Sequence, residues 1–180
     1  MKRVFFIVMF AALFLVNAAA QQAAVELSFS FTRQSGSATN QYAVWIEDSQ
    51  GKLVKTLYAT RWTASGGWSR RPTSIPMWVK QSNLSQMTRA QADAVSSATP
   101  VTGVRTYTWD GTDSRGSAVP AGYYTLIIEG TLRWENLVYY RAPFRLGQGP
   151  ATPQINTEYT GEGAVAERIM INNVNVRVLR

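Results

Sequence analysis

The residue types that carry most enzyme chemistry are missing from this 180-residue chain, which contains neither histidine nor cysteine. Without imidazole or thiolate groups, the sequence excludes a Ser-His-Asp triad, a cysteine nucleophile and a thiolate zinc site. Four acidic residues, Glu47, Asp48, Glu129 and Glu135, show no spacing that demands paired acid–base work. Two residues that are adjacent in a strand point to opposite faces. No catalytic residue is predicted, so a cofactor remains a source of chemistry.

The segment from Asp93 to Pro100 is suited to modification of one hydroxyl group, that of Thr99. Three small residues precede this threonine and would give a modifying enzyme close access to it. They are Ser96, Ser97 and Ala98. A plainer interpretation is a helix end followed by a small-residue turn, with Pro100 preventing continuation of the helix.

The same segment resembles the acceptor sequence of exported FAD:protein FMN transferases, in which an Asp is followed by two variable residues, Ser or Thr, a small residue, Ala, and a final Thr or Ser. The resemblance implies that FMN is joined to Thr99 through a phosphoester bond. It implies cofactor-binding roles for Asp93, Ser96, Ser97, Ala98 and Thr99. Ser97 replaces the commoner glycine; if the site requires a positive φ, serine costs about 1 kcal/mol or more there. A covalent flavin needs no His or Cys, because it performs electron chemistry itself.

Aromatic and basic residues elsewhere are candidates to contact such a flavin by stacking or by neutralising its charge. The stacking candidates are Trp62, Trp68, Trp78 and Tyr107, and the basic candidates are Arg70, Arg71 and Arg89. The alternative is that the large aromatic residues fill a hydrophobic core. Three further tryptophans lie inside predicted strands and are interpreted as packing residues, namely Trp45, Trp109 and Trp134.

Short segments of strand character dominate the chain. Residues 25–33 alternate apolar and polar positions, which predicts a half-buried strand. The polar, glycine-containing segment 48–52 predicts a hairpin turn between two strands. Predicted strands cover residues 25–33, 42–47, 53–58, 104–109, 123–134, 136–145 and 165–178, with a bulge or turn expected at 172–173 in the last one.

One helical excursion interrupts the strands. Pro76 is suited to the first turn of a short helix through Trp78, and apolar residues at three- and four-residue spacings predict a second helix over 84–95. Residues 64–73 are rich in Gly, Ser and Arg and are interpreted as a loop. The predicted fold is therefore mainly all-β, an immunoglobulin-like β-sandwich with a short helical insertion around residues 76–95.

The segment from Trp109 to Tyr124 contains residue types that favour turns between strands. Asp110 and Asp113 provide too few oxygen ligands for calcium, and no metal site is predicted. The Trp-Asp-Gly-x-Asp turn and the Pro-x-Gly-x-Tyr strand entry resemble the immunoglobulin-like domain of the flagellar hook-capping protein and its relatives. That resemblance covers about twenty residues and implies a sandwich fold without implying flagellar function.

The amino terminus has the features of a signal peptide. Lys2 and Arg3 precede an apolar run at 4–16, and small residues at 18–20 form a cleavage site. We predict a signal peptide at 1–20, a single domain at 21–180, and a periplasmic or secreted protein without stable membrane insertion. The formal net charge of +7 is interpreted as solvated surface, since export makes a nucleic-acid partner improbable.

Between Tyr42 and Glu129, seven segments occur in a fixed order, namely 42–48, 51–52, 54–58, 76–78, 93–100, 109–113 and 119–124. Together they resemble a family of predicted periplasmic proteins of unknown function. Members of that family occur beside, or fused to, FMN transferases and membrane electron-transfer proteins. The resemblance implies an exported electron-transfer protein carrying covalent FMN at Thr99, with a FAD:protein FMN transferase and a membrane electron-transfer protein as partners. The alternative is a non-catalytic periplasmic binding or assembly module that uses its sheet edges and the segment 64–76.

Overall fold

The computed structural model describes residues 23–163 and 168–180, and the predicted signal peptide lies outside this part of the chain. The described residues are mainly β-strands. The strands are β1 Val25–Phe31, β2 Gln41–Asp48, β3 Leu53–Thr60, β4 Ser96–Ser97, β5 Gly103–Trp109, β6 Gly122–Arg133, β7 Asn136–Leu146, β8 Asn156–Thr160 and β9 Ile171–Val178.

These strands form two sheets that pack as a sandwich, which confirms the predicted fold class. The smaller sheet has the order β5-β1-β9 and is antiparallel. The larger sheet has the order β4-β3-β2-β6-β7-β8 and is antiparallel except for the β3–β4 pair. Strands β4 and β5 follow one another in the chain, so the connection between them crosses from one sheet to the other.

The main hydrophobic core lies between the two sheets. Strand β1 buries every second residue, as its alternating sequence predicts. Its core residues are Val25, Leu27, Phe29 and Phe31. They belong to the same cluster as Val44 and Ile46 of β2 and Leu126 and Ile128 of β6. Removal of this apolar surface from water is the main force that holds the sheets together.

A helical layer covers the outer face of the six-stranded sheet. It consists of a π-helical turn at Thr63–Gly67, α1 at Trp68–Arg70, α2 at Pro76–Gln81, a 3-10 turn at Leu84–Gln86 and α3 at Arg89–Ala94. A second apolar cluster joins Trp45 and Ile127 of the sheet to Ile75, Trp78 and Leu84 of this layer. The larger sheet is therefore covered on both faces.

The helical layer differs from the sequence prediction in two respects. It begins at Thr63, so the predicted loop at 64–73 is wrong for residues 64–70, where Gly66, at φ 100°, joins two helical turns; residues 71–73 are in a turn, as predicted. The single helix predicted at 84–95 is interrupted at Met87, whose ψ of 137° is extended. Thr88 then caps α3, because its hydroxyl accepts from Gln91 N while Gln91 Oε1 accepts from Thr88 N at 2.8 Å.

The strand predictions also have particular successes and failures. The β2–β3 hairpin is confirmed, and Asp48 Oδ1 accepts from the backbone N–H groups of Gln50 and Lys52 in its turn. The bulge predicted in the last strand is confirmed, because Asn173 has φ 53° where the β1–β9 register shifts. Trp134 is not a packing residue: it has φ 51° in the turn between β6 and β7 and is 52% exposed.

A buried carboxylate joins the helical layer to the sheet. Glu129 of β6 is fully buried and accepts hydrogen bonds from Met77 N at 2.9 Å and Trp78 N at 2.7 Å, in the first turn of α2. Two residues further along β6, Thr131 Oγ1 accepts from Ile75 N at 2.9 Å. Burial raises the pKa of Glu129 to about 7, although the two N–H donors favour its charged form.

The raised pKa predicts a specific dependence of stability on pH. The native carboxyl group keeps its proton at pH values where the unfolded chain releases it, so the free energy of unfolding falls as pH rises from about 4.5 to about 7. The contribution of Glu129 to this fall is on the order of 3 kcal/mol. Denaturant unfolding across this range should show that Glu129→Gln lacks it, whereas Glu135→Gln, at an exposed position, keeps it. Equal pH dependence in both variants would contradict the assignment.

Candidate functional site

The acceptor-like segment lies at one edge of the six-stranded sheet. Asp93 is an exposed residue near the end of α3, and the chain then turns at Val95. Val95 O accepts a hydrogen bond from Ala59 N at 3.0 Å. Ser96 and Ser97 form β4 and pair with β3 in parallel. The segment is therefore a helix end followed by a short edge strand, where the plainer interpretation had expected only a turn.

A second contact holds the segment from the side of the core. The Tyr58 hydroxyl donates to Ala98 O at 3.1 Å. The Tyr58 ring stacks on that of Tyr42 with centroids 4.6 Å apart and lies 5.3 Å from that of Tyr107. Burial raises the pKa of all three phenols, so they stay neutral and keep their hydrogen-bonding protons near neutral pH. Sequence analysis missed Tyr58, because nothing local in the chain connects it to Ala98.

Thr99 follows directly after these two contacts and is half-buried. Within residues 23–163 and 168–180, its hydroxyl has no hydrogen-bond partner. Ser97 and Ala98 beside it are exposed. Ser97 has the extended backbone of β4 and no positive φ, so serine in place of the commoner glycine causes no left-handed strain.

The connection beyond Thr99 is held again where it reaches the second sheet. Thr102 Oγ1 accepts from Arg33 N at 2.9 Å, and β5 begins at the next residue. We call residues 98–102 the crossover. Its two ends are held by Tyr58 at Ala98 and by Arg33 at Thr102, and Thr99 lies between these two contacts. Thr99 is therefore a half-buried residue on a backbone that is held on both sides.

A cavity of about 480 Å³ lies between α3 and the helical turns before it. Its lining includes Trp68, Met87 and Arg89, together with Asp93 from the acceptor-like segment. The volume is in the range of small-molecule sites. Ser96 Oγ is buried and has no hydrogen-bond partner in the described parts of the chain. The unpaired Thr99 hydroxyl and the small exposed residues beside it fit a phosphoester link, whereas Asp93 is the residue of the acceptor-like segment that lines this cavity.

The remaining flavin-contact candidates lie in different surroundings. Trp62 is 37% exposed. The guanidinium carbons of Arg71 and Arg70 lie over its ring, 4.5 and 5.7 Å from the ring centroid. Trp78 is fully buried and donates to Thr56 Oγ1 at 3.1 Å. Trp78 therefore cannot stack on a flavin attached at the surface, and this candidate is wrong. The interpretation of Trp45 and Trp109 as packing residues is confirmed by their burial.

The acidic residues are dispersed and have structural partners. Glu47 Oε1 accepts from Trp45 Nε1 at 2.8 Å, and Asp110 pairs with Lys55 at 3.1 Å in the turn before β6. No three acidic residues of the described chain are close enough together to hold a metal ion. In that same part of the chain, no helix is long and apolar enough to cross a membrane.

The Tyr58 contact gives a test of how the crossover is held. Tyr58→Phe keeps the ring and removes the hydrogen bond to Ala98, so the free energy of unfolding should fall by about 1 kcal/mol. Amide hydrogen exchange should become faster at residues 96–102. Tyr123→Phe is the control, because Tyr123 is 65% exposed. Unchanged exchange at 96–102 would show that Tyr58 does not fix the crossover.

No curated protein and no solved structure matches the chain. A family model with the description "Predicted periplasmic protein (DUF2271)" matches residues 22–165. That match covers most of the chain and agrees with the predicted periplasmic or secreted localisation. The chain therefore belongs to this family of predicted periplasmic proteins.

Proposed function

We propose that this protein is an exported electron-transfer protein that carries FMN covalently on Thr99. The observation that carries the proposal is Thr99 itself, a half-buried residue whose hydroxyl has no hydrogen-bond partner in the described chain and which lies in a crossover held at both ends. The acceptor-like sequence from Asp93 to Thr99 and the periplasmic family support it. The cofactor-binding residues of the proposal are Asp93, Ser96, Ser97, Ala98 and Thr99.

Attachment requires a FAD:protein FMN transferase as partner. Thr99 Oγ1 attacks the phosphorus on the FMN side of the FAD pyrophosphate, and the bond from that phosphorus to the bridging oxygen breaks. AMP leaves with the bridging oxygen, and the threonine proton passes to a base of the transferase. The exposed Ser97 and Ala98 leave room for the transferase, while β4 pairing fixes the backbone before Thr99.

Once bound, FMN supplies one- and two-electron transfer, a chemistry for which the protein's own side chains are not suited. The protein supplies the attachment point, a stable sandwich beneath it and nearby aromatic and basic groups. Trp68 and Arg89 line the cavity beside α3 and remain candidates for ring and charge contacts. We propose a membrane electron-transfer protein as the redox partner.

The second candidate function is a non-catalytic periplasmic binding or assembly module with a hook-capping-like sandwich. One observation favours it: Trp62 is 37% exposed just before the segment 64–76, with Arg71 over its ring. Exposed aromatic and arginine side chains are enriched at protein–protein interfaces. This function would operate without flavin and would be unchanged by loss of the Thr99 hydroxyl.

Co-expression with a FAD:protein FMN transferase tests the first proposal. We expect intact-mass analysis and in-gel fluorescence to show one FMN adduct on the wild-type protein and none on Thr99→Ala. Thr99→Ser is the matched control, since it keeps a hydroxyl at the acceptor position and should keep the adduct.

An unmodified wild-type protein under these conditions would overturn the flavin proposal and favour the binding module. An adduct that persists in Thr99→Ala would show that another hydroxyl is the attachment point and would overturn the assignment to Thr99.

A further inference from the structure

A cation without an acidic partner lies beside the crossover. Arg105 is the third residue of β5 and pairs with Phe29 of β1. Burial alternates along β5, so Arg105 shares the core-facing side with Tyr107 and Trp109, while Val104 and Thr106 are exposed. Among the described residues, no carboxylate forms an ion pair with Arg105. A charge on this face of an edge strand is costly unless an anion or water compensates it.

The side chain of Arg105 turns back toward the start of β5. Its Nε donates to Gly103 O at 3.4 Å, and its Nη2 lies 2.9 Å from the position that a Cβ on Gly103 would occupy. Gly103 follows directly after the crossover and is four residues beyond Thr99. Glycine at this position thus leaves space for the guanidinium group at the end of the crossover.

The guanidinium charge of Arg105 also acts on Tyr58, the residue that holds the other end of the crossover. Burial raises the pKa of the Tyr58 phenol, and the positive charge of Arg105 opposes that rise. The same charge acts on Tyr107, whose ring centroid lies 5.3 Å from that of Tyr58. Tyr58 also donates to Ala98 O at 3.1 Å, so the Tyr58 side chain lies between Arg105 and the residue before Thr99.

We propose that Arg105 binds the phosphate that links FMN to Thr99. The inference rests on the proposed attachment at Thr99 and assigns a phosphate-binding role to a residue outside the acceptor-like sequence. The linking phosphodiester carries one negative charge, and a guanidinium group binds such an anion with two parallel N–H donors. Arg105 is a positioning residue: it orients the FAD phosphate for attack by Thr99 and then compensates the charge of the product.

The test compares Arg105→Gln and Arg105→Lys with Arg115→Gln in the full chain. Arg115 is exposed in the turn before β6, so this control removes one positive charge beyond the opposite end of β5 from the crossover. Each variant is checked by thermal unfolding, then incubated with transferase and FAD. The readouts are the initial rate of adduct formation by intact mass and the ³¹P resonance of the purified flavoprotein.

We expect Arg105→Gln to slow adduct formation by about tenfold or more, because it removes the charge and both parallel donors. Its ³¹P resonance should differ from that of wild type, and Arg105→Lys should recover part of the rate, because it keeps the charge but not the two parallel donors. Arg115→Gln should match wild type in both measurements.

The ³¹P resonance decides the assignment. Coincident resonances for Arg105→Gln, Arg115→Gln and wild type would overturn it even if transfer were slower, because a slower rate alone reflects a structural role. In that case the adduct on Thr99 would still stand. Absence of an adduct on the wild-type protein would instead overturn the attachment itself and, with it, the role of Arg105.

Discussion

The three-layer arrangement depends on the contact between Glu129 and the first turn of α2. Apolar packing between Trp78 of α2 and Ile127 of β6 brings the helical layer onto the sheet, but it does not fix the rotation of that layer. The carboxylate does so by accepting from two backbone N–H groups that would otherwise be unsatisfied in the interior. The cost of burying this charge is visible in its raised pKa.

The position of the acceptor-like segment follows from that arrangement. The helical layer ends with α3, which brings the chain to the free edge of β3, where two residues pair as β4. The chain must then cross to the other sheet, because β5 pairs with β1. Thr99 lies in this crossing, and the tyrosines beneath it are part of the main core. Candidate site and sandwich core thus share Tyr58.

Most strands could be predicted from the sequence because their signals are local. The alternation in β1 and the turn residues between β2 and β3 define these elements without reference to the rest of the chain. Strand β4 was missed, since its two residues are extended only because Ala59 and Thr60 lie beside them. Strand β8 was missed as well; its five residues are paired with β7 alone. Trp134 was predicted to pack inside a strand, and this was wrong because its positive φ places it in a turn.

The candidate site was predicted only in part, for the same physical reason. The acceptor-like residues are consecutive in the chain, so their sequence alone drew attention to Thr99. Tyr58 and Arg105 come close to the crossover only when the two sheets pack together. No pattern in the sequence around either residue therefore indicates its role at the crossover. Trp78 was a plausible flavin contact by residue type, but the helical layer encloses it completely.

The shortness of β4 has a consequence for the dynamics of the protein. An edge strand of two residues protects the backbone groups of β3 from pairing with another chain. It is also joined to the sheet by very few hydrogen bonds, so it can detach in a sub-global opening while the sandwich remains folded. An enzyme that needs this segment extended in its own active site could therefore draw it out reversibly, at a small fraction of the free energy of complete unfolding.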